Sequence, residues 1–190
     1  MDWTSTLLEQ LTYHWDDKAR PRLEGLTDDE YRWEPVDGAW GVRPRADATT
    51  PMATGAGDVV IDFAFPEPDP APDPAPVTTI AWRLAHVVVG VFGARNAGHF
   101  GGPPVDYSTF GYAPDAATAL AQLDEGYERW IAGVRSLGDD DLARPCGPAE
   151  HDWAHLPMGA LVLHINREVI HHLAEVALLR DLYAHRPLRP

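Results

Sequence analysis

Cysteine is nearly absent. The lone Cys146 excludes a disulfide within the chain and any zinc site built from several cysteines. It sits in Arg144-Pro145-Cys146-Gly147-Pro148, with no neighbour to activate a thiolate. Basic residues are also scarce: 15 Lys and Arg against 29 Asp and Glu leave a formal charge of −14. Nucleic acid needs a basic face to meet its phosphates, and an anionic membrane surface needs the same, so neither partner is expected. No run reaches about 18 uninterrupted apolar residues, so no membrane span is expected. The segment MDWTSTLLEQL is acidic and polar and lacks a basic stretch ahead of an apolar one, so the expected location is cytoplasmic. Gly101-Gly102-Pro103-Pro104 follows no strand and opens no helix, which removes a phosphate-binding loop. No internal repeat of fixed period occurs.

What is present is apolar bulk. Hydrophobic residues are 45% of the chain and seven are Trp, enough for a substantial core in one domain spanning 1–190. Gly and Pro mark the joints. The densest cluster, Pro66 to Pro76, alternates proline so closely that neither helix nor central strand survives, and it reads as a solvated connection.

Four segments carry helical periodicity. The first runs from about Trp3 to Leu23, with Leu7, Leu8, Leu11 and Trp15 at helical spacing and Pro21 near its end. Thr27-Asp28-Asp29-Glu30 has the capping-box pattern of a short turn. Residues 58–65 suggest a short strand. The second helix, about Thr79 to Phe100, is apolar nearly all round and so belongs in the middle of the fold. The third runs from about Ala116 to Ser136 with Asp115 as its cap, and the fourth from about Met158 to Ala184 between Pro157 and Pro187. The expected architecture is all-α, a four-helix up-down-type bundle with an irregular, Pro-rich insertion between its first two helices.

The fourth helix concentrates the ionisable residues. His164, Glu168 and His172 fall at i, i+4 and i+8 and form one slowly drifting line. Glu175 lies beside that line, and Arg167 and His171 border it. The rest of the circumference is apolar: Leu161, Val162, Ile165, Val169, Leu173, Val176 and Leu179. Two readings stand. The stripe is a solvent face with ordinary i,i+4 pairs, or it faces the interior and presents metal ligands about 6 Å apart along the axis. Solvent faces are usually rich in Lys and Glu, whereas this one has three histidines and one Arg. His86, in the middle of the apolar second helix, is a core histidine or a third ligand. Together His86, Glu168 and His172 make a two-His, one-carboxylate set suited to Zn or another divalent first-row metal, with positions left open.

At these residues the chain resembles the DinB-like superfamily, four-helix bundles that include thiol-dependent transferases and mycothiol-dependent maleylpyruvate isomerases. The likeness rests on the His of AWRLAHVVVG in the second helix, on Arg167-Glu168-Val169-Ile170-His171-His172-Leu173-Ala174-Glu175-Val176 in the last, and on the order of helices and connections. The resemblance implies a divalent metal, Zn or Ni, held by His86, Glu168 and His172. The Glu–His pair is similar to the isomerase branch and departs from the all-His pattern common elsewhere. A register shifted by one residue would pair Arg167 with His171, and Arg is no metal ligand. The resemblance also implies a small-molecule substrate and a low-molecular-weight thiol cosubstrate, with S-transfer, thiol-assisted isomerisation or hydrolysis as the reaction class. No catalytic residue is assigned.

Around that set, His164 reads as a fourth ligand or a group orienting Glu168, and His171 and Glu175 as its neighbours. Arg95 reads as a cavity-mouth residue or an ion-pair partner, and His14 as a cavity or surface residue. His99, His151, His155 and His185 are expected at the surface. The alternative to an enzyme is a non-catalytic metal-binding module, or one that forms a homodimer through helix faces.

Overall fold

The computed structural model describes residues 2–63 and 74–187. Helix α1 (Trp3–His14) starts where the Asp2 carboxylate accepts from the Ser5 amide at 2.9 Å. It widens into a π-helical turn, Trp15–Ala19, and tightens into a 3-10 turn, Pro21–Leu23, so the expected first helix is one helical path of changing pitch. Helix α2 (Asp28–Tyr31) is capped by the Thr27 hydroxyl. The other half of the expected capping box is spent elsewhere: Glu30 is buried and accepts from Arg180 at 2.7 and 3.2 Å.

Strands β1 (Val42–Pro44) and β2 (Val59–Ile61) pair antiparallel, Arg43 opposite Val60. The expected strand at 58–65 is therefore real but short, and its last two positions lie outside the described residues, as does the proline-rich stretch up to residue 73. The fully buried Asp62 ties the insertion together, pairing with Arg43 at 2.8 Å and accepting from the amides of Gly41 and Thr49.

The second long helix begins as α3 (Ile80–His86), capped by the Thr79 hydroxyl. It passes through a π-helical stretch, Val87–Gly93, and ends as α4 (Ala94–His99). Helix α5 (Ala116–Arg135) is capped by Asp115 as expected. A short α6 (Asp139–Ala143) and a 3-10 turn, Pro148–Trp153, lead to α7 (Met158–Ala184), whose bounds match the expected ones.

The long helices form a bundle whose directions run up, down, down, up. Helix α1 is antiparallel to α5, since Thr4 bonds to Leu137 and Arg20 to Asp124. It is parallel to α7, since Leu7 accepts from Asn166 and Ala177 from Arg22. The second helix runs antiparallel to α7, with Arg83 at Glu175 and His86 at His172. It runs parallel to α5, with Phe92 against Tyr127 and Phe100 against Trp130. Parallel neighbours need a crossover, which the segment between α4 and α5 provides. The core between the helices holds Leu11, Leu84, Phe92, Leu123, Trp130, Ile165 and Val169, all buried. Among the described residues, no helix is long and apolar enough to cross a membrane.

Candidate metal centre

Two central helices meet at the histidines. His86 closes α3 and His172 lies in the middle of α7, with ring centroids 4.6 Å apart and edge-to-face. His86 is held on two sides. Its ring stacks on Trp82, 5.4 Å away at 12°, and its Nδ1 is 2.8 Å from the Tyr107 hydroxyl. Tyr107 comes from the crossover and lies over Gly90, where a Cβ would overlap the hydroxyl, so only glycine admits this contact. Burial, then the neighbouring His172 and Arg83, push the His86 imidazolium down to about 4, so its ring is neutral. Burial also pushes the Tyr107 phenol up to about 12, so it keeps its proton.

His172 is buried, and its two nitrogens have different partners. Nδ1 lies 2.8 Å from Glu175 Oε2, an oxygen that also receives Arg83 at 3.2 Å. A carboxylate can only accept, so the Nδ1 proton points to Glu175. The other nitrogen, Nε2, faces Glu168 Oε2 at 3.6 Å, beyond hydrogen-bond length. With Nδ1 engaged by Glu175, Nε2 is the ring nitrogen turned toward the Glu168 carboxylate. Glu168 and Glu175 also act on His86, each favouring its charged form.

The sequence-predicted residues are brought together unevenly. His86 meets His172, and His172 meets Glu168. The described group of three whose ligand atoms all lie within 4.8 Å of one another is a different one, His171, His172 and Glu175. His171 sits on the outer side with 61% of its side chain exposed, 3.5 Å from Glu175. His164 stands one turn before Glu168, 3.5 Å from its Oε1, and its Nδ1 accepts from Arg167 at 2.6 Å. Arg95 pairs with the buried Glu150 at 3.2 Å, the ion-pair reading of that residue.

His14, read as a cavity or surface residue, is half-buried with its Nε2 enclosed and without a hydrogen-bond partner. The surface expectation for His99 is overturned. His99 is packed against Glu150 at 2.9 Å with only 5% of its side chain exposed, because the turn Pro148–Trp153 folds over α4. His151, His155 and His185 are exposed as expected. Cys146 keeps its proton more firmly than a free thiol, through burial and the nearby Glu150.

Sequence reasoning missed Tyr107, Arg83 and Trp82. The latter two precede His86 by three and four residues, so helical spacing alone puts them on its flank. Tyr107 carried no such signal, because only the crossover's path brings it there.

No curated protein matches this chain, and no solved structure does. The model of the DinB superfamily matches residues 10–176, which contain the end of α1, the second long helix and α5 whole, most of α7 and both histidines at the bundle's centre. The chain belongs to the DinB superfamily.

Proposed function

We propose that His86, Glu168 and His172 hold a divalent metal ion, Zn or Ni, in a metal-dependent enzyme acting on a small molecule. The observation that carries this reading is the gap between His172 Nε2 and Glu168 Oε2. At 3.6 Å it is too long for a hydrogen bond, yet close to the edge of about 3.4 Å between two ligands of one tetrahedral zinc. The donor set fits. Each histidine has its Nδ1 engaged, by Tyr107 and by Glu175, which leaves Nε2 as the free ligand atom and sets the ring's orientation. The outer trio fits less well, since His172 Nδ1 and Glu175 Oε2 are already bonded to each other and Arg83 would repel a cation there.

When bound, a divalent ion supplies a Lewis acid that polarises a carbonyl and acidifies a water or thiol. The chain's own residues supply the setting. Trp82 and Tyr107 fix the His86 ring, and Glu175 with Arg83 fixes His172. Glu168, only partly covered, leaves an approach from solvent. The reaction class is S-transfer, thiol-assisted isomerisation or hydrolysis with a low-molecular-weight thiol as cosubstrate, supported by the likeness to the thiol-dependent branches.

Metal titration with elemental analysis tests the site. About one equivalent of Zn or Ni should bind, be lost in His86→Ala, Glu168→Gln and His172→Ala, and be kept in His171→Ala. Binding that survives the first two and disappears in His171→Ala would move the ion to the outer trio. A folded protein that takes up no divalent metal would end the proposal.

A further inference from the structure

One turn toward the N-terminus of α7, about 6 Å along the axis from Glu168, a cavity of about 400 Å³ opens between α7, α4 and the turn Pro148–Trp153. His164 lines it and touches Glu168, so the cavity adjoins the candidate metal centre. We infer that this cavity binds a small organic carboxylate, with its charged end on Arg167, Arg95 and His164 and its carbon skeleton on Trp153 and Leu161.

The charges favour an anion. The walls themselves carry two guanidinium groups and one carboxylate, with Glu168 beyond the lining against Arg167, in a chain of formal charge −14. The carboxylate, Glu150, is buried and shared between Arg95 and His99. Arg95 lines the cavity and donates to the Gly90 carbonyl and to Glu150 through its two terminal nitrogens, which holds its guanidinium in place. Arg167 is 70% exposed, and its bonds to His164 and Glu168 both run through the same terminal nitrogen. Its planar fork suits a carboxylate. Because His164 Nδ1 accepts from Arg167, the neutral ring carries its proton on Nε2 and offers a further donor.

The apolar wall is also built. Trp153 stands at the mouth with 66% of its surface exposed, and Leu161 lies at the base. The turn carrying Trp153 has a costly backbone at His151, φ 46°, and the preceding Glu150 ties it to Arg95 and His99. The volume lies in the range of small-molecule sites. This adds a substrate class to the reading above, and the cavity does not need the ion.

Hexanoate and its neutral analogue hexanamide test it by calorimetry and by the Trp153 indole resonance, on the full chain stripped with chelator and again after Zn loading. Hexanoate should bind the stripped protein at least about tenfold more tightly than hexanamide and shift that resonance. Arg167→Gln should weaken hexanoate about tenfold and leave hexanamide unchanged. Trp153→Ala should weaken both. Equal affinity for acid and amide overturns the inference, as does a folded Arg167→Gln that binds hexanoate normally. Binding seen only after Zn loading also overturns it, by placing the carboxylate on the ion. A protein that takes up no metal yet binds hexanoate as described would sink the metal site and keep the cavity.

Discussion

At the scale of single residues, the contacts around the histidines are hydrogen bonds that set ring orientation. Tyr107 meets His86 at 2.8 Å across a glycine. Tyr107→Phe removes that partner and keeps the ring. Zn affinity measured by titration should fall about 10- to 100-fold, with the melting temperature little changed. Unchanged affinity would reduce Tyr107 to a packing residue. His14, on α1, gives a pH prediction. Burial lowers its pKa from the ordinary 6.5, so the unfolded chain binds the proton more readily than the folded one. Stability is therefore lost as pH falls from about 6.5 through the lowered folded value. His14→Gln should flatten this part of the curve of melting temperature against pH. A curve that keeps the same slope between about pH 7 and about pH 5 would assign the acid sensitivity to other groups.

At the scale of elements, the caps and the close approaches were unequally visible. The Thr79 hydroxyl caps α3 by accepting from Trp82, and Thr79→Ala should cost about 1 kcal/mol in denaturant unfolding. No loss there would mean that backbone alone starts the helix that carries His86. The α4–α5 contact depends on Gly133, where a Cβ would collide with the Phe100 ring. Gly133→Ala should destabilise by about 1–3 kcal/mol through overpacking, despite the better helix propensity of alanine. Stabilisation instead would show that the ring can move aside. The helix bounds of α5 and α7 were legible because capping residues and prolines sit at their ends. The π-helical stretch after His86 was not, because a widened turn keeps the same apolar composition as an ordinary one. Strand β1 was missed because Val42–Pro44 is too short for any alternation to show.

At the scale of the whole molecule, long-range ion pairs pin the irregular parts to the bundle. Arg180 on α7 grips Glu30 through two nitrogens and donates to the carbonyls of Arg22 and Glu24. Removing one partner of a largely buried pair leaves the other uncompensated, so Arg180→Ala should cost about 3 kcal/mol or more and loosen the 20–32 segment to hydrogen exchange. Exchange rates unchanged in that segment would mean that apolar contacts alone hold it. The metal enters at this scale too. If the site binds as proposed, saturating Zn should raise the melting temperature by mass action, and His172→Ala should abolish the rise.

The sequence alone determined the four helices, their approximate ends, the central place of the second and the ionisable stripe on the last, because period and caps are local properties of a chain. It also narrowed the candidate ligands to His86, Glu168 and His172, by spacing on α7 and by likeness to a family. Only the tertiary structure decided which nitrogen of each histidine is engaged, that Arg83 and Tyr107 stand beside them, and that His99 and His14 are enclosed. It alone placed Arg95 and Arg167 on one cavity. Those facts depend on the up, down, down, up order and on two connections that fold back over the helices. No period in the sequence encodes the path of a crossover, so contacts between residues far apart in the chain appear only when the helices are packed.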